Sequence, residues 1–83
     1  MAELTDEQRA VLDFERQLWR YTGAKESAIR ARFGFGLVRF NQVLAYTIAQ
    51  PEALAYDPVN VRRLRRLRDR RMAERGRVYW RAG

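Results

Sequence analysis

Five side chains within nine residues carry the recognition chemistry this sequence offers: Val38, Arg39, Asn41, Gln42 and Tyr46. An arginine guanidinium forks onto the two acceptors of guanine, an asparagine or glutamine amide pairs with both edge atoms of adenine, and a valine meets the thymine methyl. Position singles them out as much as type. Leu37, Phe40, Leu44 and Ile48 recur at three- and four-residue steps and form the buried stripe of a helix, which leaves the other five pointing away from it. A polar helix face is also ordinary solvated surface, so the reading depends on what comes before this helix.

Before it stands a glycine turn and a second amphipathic segment. Residues 26–44, ESAIRARFGFGLVRFNQVL, fit a helix-turn-helix in which the later helix is the reading one. With Glu26 as position one, Ile29, Phe33, Phe35, Phe40 and Val43 occupy positions four, eight, ten, fifteen and eighteen, where the two helices must meet each other and the body of the domain. Gly34 occupies position nine, where the first helix ends and the backbone needs a residue tolerant of positive φ. Position five is usually a small residue and is Arg30 here, so the close contacts between the helices are expected from Ala28 and Ala31. The same spacing fits two packed helices of a structural bundle with an ordinary glycine cap.

A second set of side chains suits phosphate rather than bases: Lys25, Ser27 and Arg32 around the first motif helix, and Arg62, Arg63, Arg65, Arg66, Arg68, Arg70, Arg71 and Arg75 further on. The net charge of +7 is distributed unevenly. Residues 1–56 hold seven basic and seven acidic side chains, whereas residues 57–83 hold ten arginines against Asp57, Asp69 and Glu74. All of the excess lies in the last third, which points to a polyanionic partner, nucleic acid before membrane. A solvated arginine helix without a partner is the plain alternative. Sixteen of the seventeen basic residues are arginine, in keeping with a GC-rich coding bias.

Composition excludes much else. Eighty-three residues make one domain that buries only about 60% of its extended surface. With neither cysteine nor histidine there is no disulfide, no thiolate chemistry and no ordinary zinc site, and neither a metal nor a cofactor is expected. The carboxylates make no catalytic pair, and no phosphate-binding glycine loop or nucleophile elbow occurs, so the chain is not expected to be an enzyme. The apolar runs are short and the N-terminus is acidic, which suggests a cytoplasmic protein lying on the nucleoid if it binds DNA.

Several elements position these residues. Thr5 and Gln8 form a capping box that starts helix 1, with Asp6 and Glu7 at its positive end. Val11, Phe14, Leu18 and Tyr21 are its main stripe, Leu12 and Trp19 widen it, and Gly23 is expected to end it. So wide an apolar face needs cover from two sides, by helices 3 and 4 of the same chain or, alternatively, by a homodimer partner at Leu12 and Trp19. Helix 2 is expected over 24–33 and helix 3 over 37–50. PEALAY gives one or two turns, and Asp57-Pro58 then starts a last helix ending at Gly76. Its stripe, Val61, Leu64 and Leu67, stops where arginine appears all round, so packing is expected to stop near Leu67. Domain organisation is thus residues 1–75 with the arginine-rich helix from 58, then a basic aromatic tail, 76–83. In that tail Tyr79 and Trp80 either stack on bases or fold back on the body.

Three stretches, GAKESAIRARFG, then RFNQVL, then PEALAYDPVNVRRLRRLR, resemble the small actinobacterial helix-turn-helix proteins of a largely uncharacterised domain family. The likeness covers roughly residues 4–75, and it departs at Gly36, where the family pattern has serine or threonine, and at Asn41, where it often has tyrosine. Studied members are similar to nucleoid-associated proteins that organise DNA and influence transcription, so the resemblance implies the same here. Residues and resemblance together lead us to expect an all-α bundle of about four helices that binds double-stranded DNA. The alternatives are a sequence-specific dimeric regulator, a protein-interaction module acting on the transcription machinery, and an RNA binder.

Overall fold

The structure is a computed structural model and describes residues 3–17 and 22–82. It is all-α, with five helices among the described residues: α1 (Asp6–Glu15), α2 (Thr22–Phe33), α3 (Leu37–Ile48), α4 (Pro51–Tyr56) and α5 (Pro58–Ala82).

Helix α1 starts at the expected capping box. The Thr5 amide donates to Gln8 Oε1 at 2.8 Å and the Gln8 amide to Thr5 Oγ1 at 3.1 Å, which satisfies two amides that have no partner inside the helix. It ends earlier than expected. The amides of Arg16 and Gln17 turn onto the carbonyls of Asp13 and Phe14, and the Arg16 side chain reaches Asp57 Oδ2 at 2.7 Å. Gly23 therefore ends nothing: it lies in the first turn of α2 with an ordinary negative φ. Leu18, Trp19 and Tyr21 lie outside the described residues.

The turn between α2 and α3 is as the spacing requires. Gly34 has φ +79°, and its amide donates to the Arg30 carbonyl at 2.9 Å, closing the end of α2. All five motif positions meet in one cluster. Ile29 and Phe40 are fully buried there with Val11, Phe14 is nearly so, and Phe33, Phe35 and Val43 pack against them half-buried. The four phenylalanines of the chain form its centre. Phe14 sets its edge against Phe33 and Phe40 at centroid distances of 5.7 and 5.4 Å, and Phe33 stacks on Phe35 at 5.3 Å. Ala28 joins this cluster as expected, whereas Ala31 is exposed.

Leu12 faces the other way, into a second cluster with Leu4, Ile48, Ala53, Val61 and Leu64, and Leu44 of α3 packs against both clusters. Helix α1 is therefore covered on its two sides by its own chain, by α2 and α3 on one and by α3, α4 and α5 on the other. Leu12 has no exposed surface and so presents nothing to a second subunit.

Helix α5 begins as expected. Asp57 is buried, accepts the Asn60 amide on Oδ1 at 3.4 Å and holds Arg16 on Oδ2, so one carboxylate caps α5 and ties it to the end of α1. The helix does not stop at Gly76 but runs 25 residues to Ala82, and the tail is part of it. A mid-helix glycine costs about 1 kcal/mol and permits a stop without forcing one, and its neighbours here are good helix formers. Among the described side chains packing stops where the sequence placed it: Leu64 is the last that is buried, Leu67 and Arg68 are half-buried, and Asp69 through Arg75 are exposed.

Candidate nucleic-acid interface

Helix α3 turns its stripe inward and its remaining face to solvent. Phe40 and Ile48 are buried and Leu37 and Leu44 half-buried. Thr47, a polar residue that the stripe omitted, is also fully buried, with its hydroxyl donating to the Val43 carbonyl at 2.7 Å. That bond satisfies the hydroxyl within its own helix, which is why a threonine sits in the core without cost to its neighbours.

All five candidate base readers are exposed, Val38 at 73% and Tyr46 at 69%. They do not share one line. At 3.6 residues per turn Val38, Gln42 and Tyr46 form a row down the outer face, while Arg39 and Asn41 lie about 160° apart on its two borders. The surroundings reflect this split. Arg39, Gln42 and Tyr46 border a depression of about 220 Å³ closed on its other side by Thr5, Glu7 and Gln8 of the α1 start. Asn41 borders a different groove, between α3 and α5. Ala45 is exposed between the rows, an element of the outer face that a search for polar readers passes over.

Of the candidate phosphate contacts, the structure separates those already engaged from those that are free. Lys25 is largely buried, bridges to Glu15 Oε2 at 2.8 Å and lies 5.5 Å from the Phe40 ring centre, so it braces α2 against α1. Arg65 donates from Nε to the Ile48 carbonyl at 2.6 Å and from Nη2 to the Gln50 carbonyl at 3.1 Å. It closes the end of α3, whose last carbonyls lack partners within the helix. Arg63 donates to Asn60 Oδ1 at 2.7 Å, and Arg68 pairs with Asp69 at 3.1 Å. Arg32 lies over the Phe33 ring but is exposed, as is Ser27. Arg62, Arg66, Arg70, Arg71 and Arg75 are exposed and hold no hydrogen bond or ion pair among the described residues. Tyr79 and Trp80 lie on the backbone of α5, outside the side chains described.

One further cation was not anticipated. The Arg30 guanidinium lies against Gly36, the N-cap of α3, 3.3 Å from where a β-carbon would stand. The large side chain at motif position five thus occupies space that Gly36, where the family pattern has serine or threonine, leaves open. Gly36 accordingly caps α3 with no side-chain hydrogen bond.

Electrostatic perturbations lie away from this face. The Tyr56 hydroxyl donates to the Asp13 carboxylate at 2.9 Å, which raises the phenol above its usual range, burial adding to the effect. Arg16 is likewise raised, chiefly by its hydrogen bond to Asp57. Among the described residues no cluster of acidic groups could hold a metal ion, and no helix is long and apolar enough to cross a membrane.

A family model described as "Protein of unknown function (DUF3263)" matches residues 3–76. No curated protein and no solved structure matches the chain.

Proposed function

The chain belongs to the DUF3263 family, and we propose that it binds double-stranded DNA, with the outer face of α3 in a major groove and the free arginines of α5 on flanking phosphates. The observation that carries this reading is the division of labour among its cations. Arg62, Arg66 and Arg70 recur at four-residue steps on the side of α5 opposite Val61 and Leu64, exposed and without partners among the described residues. A row of free cations about 6 Å apart suits a phosphate backbone, and the exposed row of α3 is Val38, Gln42 and Tyr46. Arg30, beside the unpartnered amides at the start of α3, supplies a further phosphate contact.

Binding of this kind has affinity set by charge and only modest sequence preference, which suits a nucleoid-associated or transcription-modulating protein. The test is a gel-shift titration on random, AT-rich and GC-rich duplexes at two salt concentrations, with binding-site selection for wild type and Gln42→Ala. We expect salt-sensitive binding to every duplex, and for Gln42→Ala a loss of about 1 to 3 kcal/mol in discrimination at one base pair. Asn41→Ala, at the border of the face, should lose less. Duplex binding absent at low salt, or an unchanged selected site in Gln42→Ala, would refute the respective half of the proposal.

A further inference from the structure

A second surface sets free cations beside exposed apolar side chains. Between α3 and the second half of α5 runs an open groove of about 540 Å³. Its floor is apolar: Leu37, Leu44, Ile48, Leu64 and Leu67 line it, of which Leu37, Leu44 and Leu67 remain half-exposed, and Met72 at its edge is 61% exposed. Its rim is cationic. On one side Lys25 is already neutralised by Glu15, while on the other Arg71 and Arg75 stand one turn apart on α5 with no partner among the described residues.

Neither half of this chemistry suits a nucleic acid alone. A phosphate backbone gains nothing from leucine and loses hydration against it, and a neutral apolar peptide leaves the arginines unpaired. We propose that the groove docks an acidic amphipathic helix of another protein, its apolar stripe on the leucine floor and its carboxylates on Arg71 and Arg75. Helix-in-groove recognition joins an apolar stripe to flanking charges in this way, and arginine donates to a carboxylate in a two-point fork. A second copy of this chain is the poorer occupant, because it brings the same net charge of +7 against the same arginines. The inference rests on the groove and its rim and not on duplex binding.

The test uses the full chain and a labelled synthetic peptide of leucine and glutamate about four helical turns long, leucines at three- and four-residue steps, against a scrambled peptide of the same composition. Fluorescence anisotropy should show the ordered peptide binding at least about tenfold tighter than the scrambled one. Ala45→Glu and Met72→Glu, each at an exposed position lining the groove, should each abolish that margin while the melting temperature stays put. Met72→Glu lies on the projecting helix and keeps the test valid if Ala45→Glu fails to fold. Equal affinity for the two peptides, or a margin indifferent to Met72→Glu, overturns the proposal. So does a dimer in sedimentation that Met72→Glu dissociates, which would give the groove to a second copy. Loss of duplex affinity in Met72→Glu without any peptide margin would give it to nucleic acid, and equally overturns the docking of a protein helix.

Discussion

Replacing Arg62, Arg66 and Arg70 together by glutamine isolates the electrostatic part of the proposed binding. The three side chains are exposed and hold no hydrogen bond or ion pair among the described residues, so the folded domain loses nothing with them. Surface changes of this kind usually fall within about 0.5 kcal/mol each. Each arginine seated on a phosphate of B-form duplex contributes about 0.9 to the slope of log affinity against log salt, so removing all three makes the slope shallower by about 2.7. Between about 50 and 200 mM salt the wild type should then lose roughly 40-fold more affinity than the variant, equivalent to about 2.2 kcal/mol. The assay is anisotropy on one labelled duplex across that range, with circular dichroism confirming an unchanged helix content and melting temperature. Binding-site selection should return the same preferences, since phosphates carry little sequence information. Parallel salt plots for the two proteins would mean that this row touches no phosphate, and the assignment of α5 as the backbone-binding element would fall.

Other expectations follow from the packing and caps. Phe40→Ala, at the centre of the four-phenylalanine cluster, should cost about 3 to 5 kcal/mol and leave the domain largely unfolded in a thermal melt. Gly34→Ala should cost about 1 to 2 kcal/mol from its positive φ alone, since the space around it is open, whereas Gly36→Ser should be neutral or gain a few tenths by supplying the missing cap. Arg65→Ala should destabilise by about 1.5 to 3 kcal/mol in a denaturant titration, in contrast with the free arginines, because the Ile48 carbonyl at the end of α3 and the Gln50 carbonyl at the cap of α4 lose a charged donor. Tyr56 is raised in the fold above the ordinary phenol value of 10.0. The stability it contributes is therefore full below that pH and is lost as pH rises through the folded value. Unfolding midpoints measured from about pH 9 upward should fall less steeply in Tyr56→Phe; an identical pH dependence would deny the Asp13 contact.

Much of this molecule was legible in local pattern. The capping box at Thr5, the positive φ at Gly34, the five apolar motif positions, the Asp57 cap and the end of packing near Leu67 each depend on a few residues close in sequence, where steric and hydrogen-bonding demands are nearly independent of the rest of the chain. Where two signals competed, the pattern misled: Gly23 and Gly76 each permit a helix end, and the structure uses neither. Arg16 closes α1 through a carboxylate 41 residues away, which no window along the chain contains.

Tertiary structure alone decided which charges are at liberty. Along the sequence Arg62, Arg65 and Lys25 are equivalent cations; only the fold places the Ile48 and Gln50 carbonyls under Arg65 and Glu15 against Lys25, and leaves Arg62 in solvent. It likewise divided the reading face, setting Gln42 and Tyr46 beside the start of α1 and Asn41 beside α5, because the neighbours of a helix face are chosen by packing partners distant in the chain. Residue type and helical period determine that a side chain points outward, and the long-range contacts of the core determine what it then meets.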